Sequence, residues 1–285
     1  MIVELREEVL VSGEGLVGVL GLPGQRSRTD APVVIVLNAG NMHRVGVGRS
    51  AVTLTRALND AGHATLRFDH SGVGDSPPLR STDGHESSRV SEISHVMSEL
   101  HERLGCSRFI LYGLCSGARD AYHAALADDR VVGIVQIDGF AYRNFRYHLT
   151  WLGRRLLDPA RLVRSIARRL GSAPASKGDA PADQMWAGEW SDYPPRREVE
   201  AGYAKLVARG VRLFVVFTGS WIDEYNYANQ FLDMYSSVDF GDALTLRHLP
   251  EANHTLTNPV DRRAVLGDVT DWVRDVFAGD GEAVS

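Results

Sequence analysis

Apolar and polar positions along the chain alternate between two periodicities, one of two residues and one of three to four, and each change of period marks a predicted element. Residues 1–23 alternate apolar and polar and break at Gly13-Glu14-Gly15, the pattern of an antiparallel hairpin. Ala31–Leu37 (A-P-V-V-I-V-L) is a continuous apolar run rich in β-branched residues, as expected of a strand buried on both faces. Arg49 to Ala61 has helical spacing through Leu54 and Leu58 and stops at Gly62. A strand over Ala64–Phe68, an amphipathic helix over Glu86–Leu104, a strand from Phe109 to Tyr112 and its following helix, and a strand over Val131–Ile137 continue the alternation.

The rhythm then breaks. Residues 141–200 contain no strand-like run; Tyr147–Leu170 reads as a basic helix, and a small, polar, mobile segment covers about 171–185. Alternation resumes with a helix near Glu198–Ala208, a strand over Val211–Thr218, a helix around Asn229–Met234, a strand over Leu244–Leu249 and a last helix from about Asp261 to Phe277. Strands alternating with helices argue for a mostly parallel sheet covered on both faces. The organisation expected is one α/β core of eight strands, built from 1–140 and 201–285, with a helical cap inserted at 141–200.

Composition changes this picture little. The 285 residues are 44% hydrophobic and 24% charged, ordinary for a globular chain. A net charge of −5 gives no reason to expect nucleic acid or an anionic membrane as partner. No apolar run approaches the ~18 residues of a membrane span. The N-terminus, M-I-V-E-L-R-E-E, has acidic residues where a signal peptide needs a basic start. The two cysteines, Cys106 and Cys115, have no metal-type spacing, and an extended strand holds them apart, which argues against a disulfide. The expectation is a cytoplasmic protein with reduced thiols, no metal and no cofactor.

Chemistry gathers where the strands end. Gly113-Leu114-Cys115-Ser116-Gly117, between a strand and a helix, has the small-x-nucleophile-x-small pattern of a nucleophile elbow, in which residues two before and two after the nucleophile crowd each other. Cys115 has glycine at both positions, whereas Ser116 would have the bulky Leu114. Cys115 is therefore the expected nucleophile, and the Ser116 backbone N–H an expected oxyanion donor. A second donor is expected from Asn41 or Met42, in the loop after Ala31–Leu37. His254, in the loop after the final strand, can supply the base. The acid is left open among Asp223, taken first, Glu224 and Asp138, each after a strand. His43, Trp221 and Tyr225 are expected to line a substrate pocket. Arg67, Asp69, Asp75 and Ser76 are expected to knit their loop together, and Arg119 and Asp120 to be solvated or capping residues.

With these residues in place the chain resembles the α/β-hydrolase superfamily over nearly its whole length. It is most similar to the exosortase-A-system-associated hydrolases and related α/β-hydrolases of biosynthetic gene clusters. The likeness rests on R-V-G-V-G-R (Arg44–Arg49), L-R-F-D-H-S-G-V-G-D-S (Leu66–Ser76), G-L-C-S-G-A (Gly113–Ala118) and the basic helix after the sixth strand. It implies the α/β-hydrolase fold, Cys115 and His254 as catalytic residues, an oxyanion donor in Asn41–Met42, and a cap over the site. After Thr218 the chain departs from the family pattern, with Ser220-Trp221-Ile222 intervening before Asp223.

The activity expected is acyl transfer, by a thioesterase, esterase or acyltransferase, through a thioester on Cys115 and with a small-molecule acyl ester or thioester as substrate. Arginines of the cap (Arg143, Arg146, Arg154, Arg155, Arg161, Arg164, Arg168, Arg169) suggest a docking surface for an acyl-carrier protein or coenzyme A. Two rivals are a non-covalent, His254-dependent lyase or cyclase on the same fold, and a non-catalytic binding subunit.

Overall fold

The computed structural model describes residues 6–24, 31–78, 85–156, 193–221 and 224–278. Its eight strands are β1 (Arg6–Val11), β2 (Val17–Leu22), β3 (Val33–Val36), β4 (Thr65–Phe68), β5 (Phe109–Leu114), β6 (Val131–Ile137), β7 (Arg212–Thr218) and β8 (Leu244–Leu249). They form one sheet in the order β1-β2-β4-β3-β5-β6-β7-β8. β1 and β2 form the expected hairpin, β2 runs antiparallel to β4, and every other pairing is parallel.

Seven helices are described: α1 (Ser50–Asp60), α2 (His85–Leu104), α3 (Ser116–Ala127), α4 (Phe145–Leu156), α5 (Arg196–Ala208), α6 (Gln230–Met234) and α7 (Pro259–Val276). Successive side chains of a strand point to opposite faces, so the continuous apolar runs feed two cores. Ile35, Phe109 and Leu111 join Ile93, Met97, Ala121, Tyr122, Tyr203 and Leu206 of α2, α3 and α5 on one face. Val34, Val36, Ile110 and Tyr112 join Leu54, Leu58, Val265, Val269 and Trp272 of α1 and α7 on the other. Each Val, Leu, Ile, Phe or Met side chain among them, taken fully out of water, contributes about 1.5–3 kcal/mol.

Most element ends fall within two residues of the sequence pattern, and two of the differences have clear local reasons. β5 runs to Leu114, paired with Ile137, so the strand continues directly into the elbow. α7 starts at Pro259 because the Asn258 side chain accepts a hydrogen bond from the Val260 N–H and Pro259 occupies the first turn. Within 141–200, α4 and the start of α5 are described. Most of the predicted basic helix and the whole segment 171–185 lie outside the described residues. Among the described residues no helix is long and apolar enough to cross a membrane.

Candidate active site

The elbow is built on two close approaches. A Cβ on Gly113 would lie 2.0 Å from the Gly117 carbonyl oxygen, and one on Gly117 would lie 2.5 Å from that of Asn38. Neither position accepts a side chain without moving backbone. Between them Cys115 is held at φ 61°, ψ −120°, a conformation that costs a non-glycine residue on the order of 1–3 kcal/mol. Its N–H donates to the Ile137 carbonyl at 2.9 Å, and its own carbonyl accepts from the Ala118 N–H at 3.1 Å, which fixes the turn. Cys115 also precedes the first turn of α3, whose leading N–H groups have no partners within the helix.

His254 reaches this turn from the loop after β8. That loop folds back over the end of β7: the Gly219 N–H donates to the Ala252 carbonyl at 2.9 Å. A Cβ on Gly219 would lie only 1.8 Å from the Pro250 carbonyl oxygen, so glycine is what lets the loop cross. The His254 imidazole hydrogen-bonds Cys115 on one side. On the other, its Nδ1 lies 2.8 Å from Asp138 Oδ2. Asp138 follows β6 with φ 50° and is fully buried. Its Oδ1 accepts from the Thr218 N–H at 2.7 Å and its Oδ2 from the Thr218 hydroxyl at 2.6 Å, so the carboxylate is fixed before it meets the imidazole. Burial alone would strip the His254 proton, but the hydrogen bonds and charges of Asp138 and Cys115 outweigh it and push the imidazole up to about 10.

Asp138, an alternative for the acid in the sequence analysis, is thus the carboxylate that meets His254. Asp223 lies outside the described residues. The Glu224 carboxylate accepts from Arg143 at 2.9 Å and is 40% exposed. Sequence position alone favours Asp223, after β7, over Asp138. The signal that could have raised it is the hydroxyl-bearing Thr218 at the neighbouring strand end, a ready donor to a carboxylate there.

The turn after β3 is heavily tied. The Asn38 side-chain amide donates to the Met42 carbonyl at 2.7 Å and to Asp69 Oδ1 at 3.1 Å, and its oxygen accepts from the His70 N–H at 2.8 Å. The Met42 N–H closes the turn onto the Ala39 carbonyl at 3.0 Å. The Gly40 N–H donates to the Ser116 hydroxyl oxygen at 2.7 Å. The Asn41 N–H enters none of these bonds. Met42 and His43 line a small cavity of about 30 Å³ with Asn38, Tyr112 and Leu114, but neither Cys115 nor His254 borders it.

Of the three residues expected in a substrate pocket, His43 is partly exposed and sits against the loop after β4, 3.5 Å from Asp75. Trp221 closes a short 3-10 turn, and its side chain lies outside the described residues. Tyr225 is not at a mouth but in the core: fully buried, its ring stacks on Phe217 at 3.8 Å and its hydroxyl donates to the Ala228 carbonyl at 2.8 Å. The aromatic body is drawn in by burial, and a backbone carbonyl satisfies its polar tip. Tyr193, which the sequence did not single out, lies near Cys115 instead. Burial, the largest effect, pushes its phenol up; Arg119 opposes that, and the charges of Cys115 and Glu224 add to it.

His43, Asp69 and Asp75 offer three potential metal-ligand atoms within 4.8 Å of one another. The Arg44 guanidinium already occupies that cluster, bonded to Asp69 and, at 2.7 Å, to Asp75, so the carboxylate charge is met by the chain itself. Ser76 and Asp69 do knit the loop, with the Ser76 hydroxyl donating to the Asp69 carbonyl at 2.6 Å. Arg67 instead leaves it, reaching Glu7 of β1 and Thr55 of α1. Asp120 is neither solvated nor a cap: it is buried in an ion pair with Arg89 at 3.1 Å. Arg143 and Arg146 pair with Glu224 and Asp233; the side chains of the other cap arginines lie outside the described residues.

No protein-family model matches the chain, and no curated protein matches its sequence. Solved structures do match. A protein of unknown function from Agrobacterium tumefaciens, assigned to the α/β hydrolases, superposes with a TM-score of 0.59 at 15% identity, covering 97% of this chain and 98% of that one. The chain has the α/β-hydrolase fold. A lidless α/β serine hydrolase from Xanthomonas campestris matches with a TM-score of 0.53 at 16% identity, covering 100% of this chain and 99% of its own. An esterase from Pyrococcus furiosus matches with a TM-score of 0.59 at 14% identity, covering 95% of this chain and 91% of that one.

Proposed function

We propose that the protein is a hydrolase-type enzyme that transfers acyl groups through a thioester on Cys115, with His254 as acid–base and Asp138 as its orienting carboxylate. The observation that carries the reading is the strained Cys115 on its elbow, hydrogen-bonded to an imidazole whose Nδ1 is held at 2.8 Å by a buried carboxylate. Resemblance in fold to an esterase and a serine hydrolase is consistent with it.

The chemistry follows from the geometry. With its proton held to about 10, His254 rests as an imidazolium beside the sulfur. The Cys115 thiolate attacks the acyl carbonyl carbon, and the carbonyl oxygen takes up the negative charge. The Ser116 N–H, at the start of α3, and a donor from Asn41–Met42 stabilise that oxyanion; because the Met42 N–H already closes its turn, the Asn41 N–H is the available one. As the tetrahedral adduct collapses, the imidazolium gives its proton to the departing oxygen or sulfur, leaving an acyl-Cys115 thioester and neutral imidazole. The acceptor, whether water, an alcohol or an amine, gives its proton to His254 as it attacks, and thiolate and imidazolium are restored. Asp138 holds Nδ1–H throughout, so the other nitrogen always faces the sulfur.

The substrate class is a small-molecule acyl ester or thioester, and the setting suggested by the family resemblance is a biosynthetic pathway. A panel of short- and medium-chain acyl esters and thioesters tests this. Turnover in the wild-type protein should fall by at least about 10³-fold in Cys115→Ala and in His254→Gln. Turnover that survives Cys115→Ala would instead favour a non-covalent, His254-dependent reaction.

A further inference from the structure

We infer that the Ser116 hydroxyl and the Arg89 guanidinium are positioning residues, which grip Gly40 from its two sides and set the oxyanion turn against the elbow. The inference rests on the acyl-transfer reading above and adds to it two side chains that do not touch the reacting atoms.

Gly40 is at φ 54°, the left-handed region. Its N–H donates to Ser116 Oγ at 2.7 Å, in a buried bond between residues 76 apart in sequence. Its carbonyl accepts from Arg89 Nη2 at 3.4 Å. Arg89 is in turn fixed by its buried ion pair with Asp120, at 3.1 Å, on the same helix that begins at Ser116. Both contacts with Gly40 therefore come back to α3. The elbow and the turn after β3 are joined by side chains as well as by the packing of Gly117 under Asn38.

The consequence concerns the peptide unit that joins Gly40 to Asn41. It is trans, so its C=O and N–H point in opposite directions. Holding the carbonyl toward Arg89 turns the Asn41 N–H away from the α2–α3 contact. Holding the preceding N–H on Ser116 stops that unit from rotating about Gly40, the residue in the turn freest to do so. An oxyanion donor acts only at the right distance from the developing charge, and misplacement by about 1 Å costs on the order of 10²-fold. A hydroxyl immediately after the nucleophile thus has a reason to be there that the backbone donor alone does not supply.

The test compares two reactions at Cys115 in the full chain: acylation by an acyl thioester, which needs the oxyanion donors, and alkylation by iodoacetamide, which does not. Both are followed by peptide mapping, with hydrogen exchange of residues 38–44 measured alongside. Ser116→Ala should slow acylation at least 10-fold while alkylation stays within twofold, and should raise exchange in 38–44. Ser116→Thr, which keeps the hydroxyl, should restore most of the acylation rate. Arg89→Lys, which keeps the charge facing Asp120 but not the fork, should slow acylation in the same direction. If Ser116→Ala leaves exchange unchanged, or raises it without slowing acylation relative to alkylation, the inference is overturned. A wild-type protein that is alkylated but never acylated at Cys115 overturns the acyl-transfer reading and this inference with it.

Discussion

Asp138 is held by contacts that do not involve His254. A positive φ turns its side chain across the end of β7, and two bonds from Thr218 hold the carboxylate there. Replacing it by Asn keeps the shape but removes the charge that stabilises the imidazolium and offers Nδ1 an amide that can present the wrong group. Asp138→Asn should lower kcat/KM by about 10³–10⁴-fold with secondary structure intact, as steady-state kinetics and circular dichroism would show. A fall of less than tenfold would mean that another carboxylate serves His254. The same pair sets a pH dependence of stability. The folded protein holds the His254 proton to about 10, whereas the unfolded chain releases it near 6.5. The pair's contribution is therefore complete below 6.5 and is lost as the pH rises through about 10. The stability margin of the wild type over His254→Gln, from denaturant titrations, should narrow across that window; a constant margin would remove the pair from the account.

At the scale of elements, most of the chain was legible because its strands are short and its helices end on recognisable signals. Val131–Ile137 and Leu244–Leu249 read residue for residue, the first an apolar run bounded by Arg130 and Asp138, the second an alternating run stopped by Pro250. The elbow was legible for a steric reason: only small residues fit two before and two after a nucleophile whose turn brings Gly113 under Gly117. Tyr225 was not, because an aromatic residue in a loop can face a pocket or turn inward, and only the position of Phe217 decides. The identity of the acid was not, because three carboxylates follow strand ends and only backbone conformation selects one. Gly113→Ala tests the steric argument. With backbone atoms 2.0 Å from the new Cβ, it should destabilise the fold by about 3 kcal/mol or more, seen as a lower denaturation midpoint. A change under 1 kcal/mol would show that the turn has slack that the geometry denies.

Across the whole molecule, the sheet order explains how residues far apart in sequence converge. β5, β6, β7 and β8 are neighbours and parallel, so Cys115, Asp138, Thr218 and the loop bearing His254 all leave the same edge. His254 follows β8 and Asp138 follows β6, and the loop spans the strand between them by crossing at Gly219. The antiparallel hairpin and the two helical layers serve that edge by keeping the central strands buried. The most direct test of the central claim is where the acyl group rests. Mixed with an acyl thioester and quenched early, the wild-type protein should gain the mass of one acyl group, located by peptide mapping on Cys115 and absent in Cys115→Ala. An acyl group found on another residue, or turnover by Cys115→Ala at the wild-type rate, would contradict the account.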